Sequence, residues 1–192
     1  MAADAISLIE QDHRALETLF DQVKAGDGDR VALVQEITAR LAAHARAEES
    51  EVYPAIVRAE PGEDEEVEHA EHEHHEAEHL LRKATNLTAT AHFEEAFDAF
   101  VAAVRHHVEE EEQQILPALR DAVDKATLEK LGAAFEQTRT SLLGTETTAG
   151  QSPGDLEQAS KTELYEMAKE AEIPGRSTMT KDELTQALRE NA

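Results

Sequence analysis

Four histidines and two glutamates recur at spacings that suit a metal centre. His44 is followed by Glu48 four residues on and by Pro54 ten residues on, and His107 is followed by Glu111 and Pro117 at the same offsets. His13 stands 31 residues before His44, and His74 stands 33 residues before His107. Residues four apart share one face of a helix, so each His–Glu pair can aim at one point. Imidazole and carboxylate together suit iron, manganese or zinc. Two ions fit better than one. Four His and two bridging Glu supply about eight coordination positions, and a bridging oxide or hydroxide adds about two, where two six-coordinate ions need about twelve. The remainder leaves an open position for dioxygen, peroxide or nitric oxide.

Long helices position these residues. The first is predicted from about Asp4, a capping residue, to Ala25 before Gly26, with Ile6, Ile9, Leu16, Phe20 and Val23 in its apolar stripe. The second runs from about 29 to 59, with Val34, Ile37, Leu41, Val52 and Ala55 flanking His44 and Glu48; Pro54 should kink it. The third spans about 63–90, with Val67, Ala70, His74, Ala77, Leu81 and Ala84 in line. The fourth spans about 93–123, where Phe93, Phe97, Phe100, Val104, His107, Glu111, Ile115 and Ala118 form the stripe. Alternating spacings of three and four indicate an all-α, antiparallel up-down four-helix bundle. A shorter helix over about 128–143 packs beside it.

Depth along these helices brings the six residues to one layer. His13 lies 15 residues before the turn at Gly28 and His44 lies 16 after it. Glu48 and His74 are each 13 residues from Pro61, and His74 and His107 are 17 and 16 from Ala91. At about 1.5 Å per residue, antiparallel helices place them level. One histidine on an apolar stripe is ordinarily a hydrogen-bonded core residue. Six unpaired polar side chains in one layer would cost several kcal/mol each, on the order of a domain's net stability, unless something satisfies them.

The 192-residue chain carries a formal charge of −24, which disfavours nucleic-acid phosphate and anionic membrane as partners. It has no cysteine, which excludes disulfides, thiolate metal sites and cysteine nucleophiles. The acidic start resembles no signal peptide and no stretch reads as a membrane span, so a soluble cytoplasmic protein is expected. Domains are expected at 1–143 for the bundle, 144–155 for a flexible linker and 156–192 for a small helix-loop-helix unit. Ser160 with Glu163 and Thr180 with Glu183 form capping boxes in that unit.

The segments DHRAL at His13, HARAEE at His44, EHHEAEHLL at His74 and HVEEEEQQILPAL at His107 resemble the hemerythrin-like, or HHE cation-binding, family over about residues 5–125. The resemblance implies a non-haem, oxo- or hydroxo-bridged di-iron centre, with manganese or zinc behind iron. It implies binding of oxygen, sensing of oxygen or iron, or processing of peroxide or nitric oxide. Oxygen carriers of the family place a second His four residues after the third-helix His, where this chain has Glu78, and an Asp five after the fourth-helix His. Here Glu111 lies four after, which points to the bacterial and regulatory branch. The pattern leaves open whether Glu78 or Glu17 joins the ligands, and whether a register using His75 and His79 replaces His74. Tyr53 could approach the site from one turn beyond Glu48. His69, His72, His92 and His106 read as surface residues.

Residues 156–192 resemble the small N-terminal domain of transcription terminator Rho. Residues 155–192 hold five Lys/Arg against nine Asp/Glu, a balance that favours a protein partner over nucleic acid. Two functions compete. One is redox chemistry at the metals, including catalase- or peroxidase-like turnover, with no catalytic residues beyond the ligands. The other is a metal-, oxygen- or redox-sensing protein that signals through the C-terminal domain. A purely structural bundle predicts no stoichiometric site, and a hydrolytic two-metal enzyme would lack room for its substrate.

Overall fold

The computed structural model describes residues 3–148 and 179–190. The chain divides into two compact units, Met1–Glu146 and Thr147–Ala192. Among the described residues every regular element is helical. The first unit contains α1 (Ala5–Ala25), α2 (Arg30–Ala47), α3 (Tyr53–Ala59), α4 (Asp64–Asn86), α5 (Phe93–Glu110), α6 (Leu116–Ala122) and all but the last two residues of α7 (Lys125–Thr148). α7 thus continues through Thr148, into the segment read as a linker.

Local chemistry sets the helix ends. The Asp4 side chain accepts from the Ser7 N–H at 2.9 Å and opens α1. Gly26 closes it with φ +72°, a left-handed conformation that glycine adopts without a Cβ penalty. Asp29 caps α2 through the Ala32 N–H at 3.0 Å. α1 packs on α2, α2 on α4, α4 on α5, and α5 returns to α1, which closes the four-helix bundle.

The second and fourth helices of the bundle, α2–α3 and α5–α6, are each broken once, at matching points. The segments Glu48–Val52 and Glu111–Ile115 are π-helical, with the Tyr53 and Leu116 N–H groups reaching back five residues to Glu48 and Glu111. Pro54 and Pro117 explain both. Proline has no N–H, and its ring would strike the carbonyl four residues earlier; one wider turn relieves the clash without ending the helix. The kink expected at Pro54 therefore takes the form of an inserted residue, and the second copy of the motif repeats it.

Two apolar layers flank the centre. One holds Phe20, Phe93, Phe97 and Phe100 with Leu16, Ile37 and Leu81. The other holds Ile9, Val52, Tyr53, Ile56, Leu116, Leu119 and Phe135. Phe135 brings α7 into this second layer. Gly132 lets α7 approach α1 closely, since a Cβ there would stand 2.6 Å from the Ala3 carbonyl oxygen.

In the second unit the described residues form α8 (Lys181–Glu190). Its start is a reciprocal capping box: the Thr180 N–H donates to Glu183 at 2.7 Å, and the Glu183 N–H donates to the Thr180 hydroxyl at 3.3 Å. Leu184 is buried. The Ser160–Glu163 box lies outside the described residues.

Candidate metal centre

α1 supplies His13, α2 supplies His44, α4 supplies His74 and α5 supplies His107, while Glu48 and Glu111 open the two π-helical segments. All six are buried, none more than 5% exposed. Their donor atoms form two groups that share Glu48: His13, His44, Glu48 and Glu111 in one, and Glu48, His74 and His107 in the other. One Glu48 oxygen stands 3.2 Å from His44 Nε2 and the other 3.3 Å from His74 Nε2. His13 Nε2 lies 3.3 Å from Glu111 Oε2, and the Nε2 atoms of His74 and His107 are 3.0 Å apart. Donors about 2.1 Å from a common ion stand roughly 3.0–3.4 Å from one another, so these separations are those of a coordination shell.

The hydrogen-bond inventory agrees. His13 Nε2, both oxygens of Glu48 and Glu111 Oε2 are buried without a hydrogen-bond partner. Buried polar atoms rarely go unsatisfied; a fifth, His44 Nδ1, faces Asp12, while these four turn to the two donor groups. The residues present fit a metal centre.

An acidic side chain backs each imidazole. His13 Nδ1 meets Glu112 at 2.9 Å, His74 Nδ1 meets Glu49 at 3.1 Å, His107 Nδ1 meets Glu73 at 3.1 Å, and His44 Nδ1 faces Asp12 at 3.5 Å. Carboxylates in this position fix the ring and its tautomer, leaving Nε2 free to ligate. These four partners were not anticipated from sequence. The repeat carried the signal: an acidic residue precedes the first His of each half, and another follows each buried Glu.

Crowding shapes the protonation of five of these groups. Burial, reinforced by Glu111, pushes Glu48 up to about 8. Burial acts the same way on Glu111, but His13, His107 and His44 outweigh it and hold that carboxyl down at about 2. Burial opposes charge on His13 and His74 also. The Glu111, Glu48 and Glu112 carboxylates nevertheless raise His13 to about 9, and Glu48 and Glu49 raise His74 to about 10. Burial and the His13 charge drive His44 well below its ordinary value. The pocket thus places positive charge on His13 and His74 beside the Glu111 carboxylate, the role a cation would fill.

Tyr53 reaches the centre. Its hydroxyl donates to Glu111 Oε1 at 3.2 Å, and its ring stacks on His74 with centroids 5.8 Å apart. The π-helical segment explains this, because five residues complete its turn and Tyr53 stands over Glu48. Glu17 is elsewhere, paired with Arg105 on the surface at 2.7 Å. Glu78 and His75 line an open surface pocket between α2 and α4. His75 and His79 are exposed and His74 is buried, so the third helix keeps the His74 register.

Comparison with known proteins agrees with this architecture. The Hemerythrin HHE cation binding domain matches residues 4–119, and the Rho termination factor N-terminal domain matches residues 155–192. A Hemerythrin HHE cation binding domain-containing protein from Mycobacterium kansasii has a similar crystal structure, with a TM-score of 0.66 and 19% identity over 96% of this chain and 99% of that one. At that identity the likeness speaks to the fold. Comparison with curated proteins finds no match. Since the HHE domain covers more than half of the chain, the protein belongs to the hemerythrin HHE cation-binding family.

Proposed function

We propose that the buried cluster holds two iron ions, and that the protein binds or processes dioxygen, hydrogen peroxide or nitric oxide there, in the cytoplasm. The observation that carries this reading is the sharing of Glu48. Its two oxygens face two separate groups of donors, which is what a carboxylate between two ions requires. His13, His44, Glu48, His74, His107 and Glu111 are the proposed ligands. When bound, two redox-active ions supply electrons to a small ligand or take them from it.

The chain's own residues set who can enter. A small pocket of about 40 Å³ descends between α4 and α5 to His107 and Glu111. That is room for about three water molecules. It suits a diatomic molecule or peroxide and turns away larger substrates. Tyr53 holds Glu111 through its hydroxyl, and the acidic partners behind each imidazole hold the rings.

A second reading, sensing, draws on the separate C-terminal unit that matches the Rho N-terminal domain. In that reading the metal state is passed to a protein partner of that unit. One experiment tests both. Protein expressed with iron available should contain about two irons per chain and show near-ultraviolet bridge absorption that changes on adding hydrogen peroxide. Repeated evolution of oxygen from peroxide marks a catalyst; a spectral response without turnover marks a sensor. Protein that retains no stoichiometric iron overturns the proposal.

A further inference from the structure

A second constellation of donors lies above the centre, on the exposed side of α4 and α5. His69, Glu73 and Glu110 place ligand atoms within 4.8 Å of one another. His69 Nε2 stands 3.7 Å from Glu73 Oε1 and 3.5 Å from Glu110 Oε2. His106 Nε2 faces the same two carboxylates at 3.8 and 3.6 Å. These separations exceed hydrogen-bond length. They lie close to the roughly 3.3–3.4 Å between donors of a tetrahedral zinc site.

Two further observations bear on this cluster. His69, Glu73 and Glu110 line the mouth of the pocket that descends to Glu111. The bundle's internal repeat supplies the other. Asp12 behind His44 and Glu73 behind His107 hold equivalent places, one residue before the first His of each half. Asp12 is met by the Arg139 guanidinium of α7 at 2.7 Å. On the opposite side Glu73 gives one oxygen to His107 and turns the other toward His69 and His106. Among the described residues no arginine or lysine pairs with Glu73; two imidazoles and a second carboxylate surround it instead.

We infer that His69, Glu73, His106 and Glu110 form an exterior binding site for a divalent transition-metal ion at the mouth of the pocket. This goes beyond the buried centre and does not require that centre to be di-iron. Glu73 would join the two sites, with one oxygen on the exterior ion and the other on the Nδ1 of His107.

The test uses full-length protein carrying its buried metal, titrated with Zn²⁺ at neutral pH, with iron and zinc counted separately. Wild-type protein should bind one further Zn²⁺ per chain. The H69Q/H106Q variant should keep its buried metal and bind that ion more than about 100-fold more weakly, since loss of supporting groups alone costs up to about that factor. Both positions are exposed, so the variant should fold, which circular dichroism checks. An H72Q/H75Q/H79Q variant, altered on another face of α4, should bind as wild type does. Absence of a further stoichiometric ion, equal affinity in H69Q/H106Q, or loss of the ion in the other variant would overturn the inference. Protein without buried iron would count against the proposed function alone, because the exterior ion is still scored by H69Q/H106Q.

Discussion

Asp12 and Glu73 do the same work in two halves of one bundle, yet their surroundings differ. Each backs the second imidazole of its half, His44 or His107. Asp12 lies under α7, where Arg139 neutralises it and Phe135 sets its ring edge-on to His44, with centroids 6.0 Å apart. Glu73 is buried to a similar degree but meets the exposed imidazoles of His69 and His106 in place of a guanidinium. The repeat therefore builds a near-symmetric inner layer, and α7 breaks the symmetry outside it. Tyr53 breaks it inside, because the equivalent position of the second half is Leu116, which offers no hydroxyl. α7 covers one side of the centre, and the pocket that reaches His107 and Glu111 lies on the other.

The comparison can be broken at its shared element first. Glu48→Ala removes the carboxylate common to both donor groups, and metal analysis should show bound metal falling toward zero, the largest effect expected. Retention of one tightly held ion would mean that the two groups are independent. On the side under α7, Phe135→Ala should cost about 3–5 kcal/mol in denaturant unfolding, the range for deleting a buried aromatic side chain. Arg139→Ala leaves the half-buried Asp12 without its guanidinium and should cost about 1–3 kcal/mol by the same measurement. On the pocket side the matching change should be mild. His106→Gln affects a side chain 63% exposed, and its loss should shift stability by less than about 1 kcal/mol. Equal losses for Arg139→Ala and His106→Gln would erase the distinction between the two sides.

Much of this molecule was legible in its sequence. The predicted stripe of α1, from Ile6 to Val23, and that of α4, from Val67 to Ala84, are buried throughout. The predicted residues of the second and fourth bundle helices, α2–α3 and α5–α6, are buried too, except that Ala118 is half-buried. Periodicity encodes a helix face directly, and distance from a turn encodes depth, so the burial of the six candidate ligands in one layer followed from counting. The acidic residues behind the imidazoles were present in the repeat, but their use depends on which side chains meet across the bundle. His13 finds Glu112, 99 residues away, and spacing along one helix says nothing about that.

Sequence alone determined the helices, their inward faces and the candidate ligand set, because these depend on local spacing and on the cost of burying polar groups. Tertiary structure decided the rest. It showed the prolines resolved as π-helical segments that swing Tyr53 over Glu48, and it placed Glu17 on Arg105, away from the centre. It also laid α7 over Asp12 while setting Glu73 against the exposed His69 and His106. Each of these depends on contacts between separate elements, where small differences in packing select one partner among several that the sequence allows.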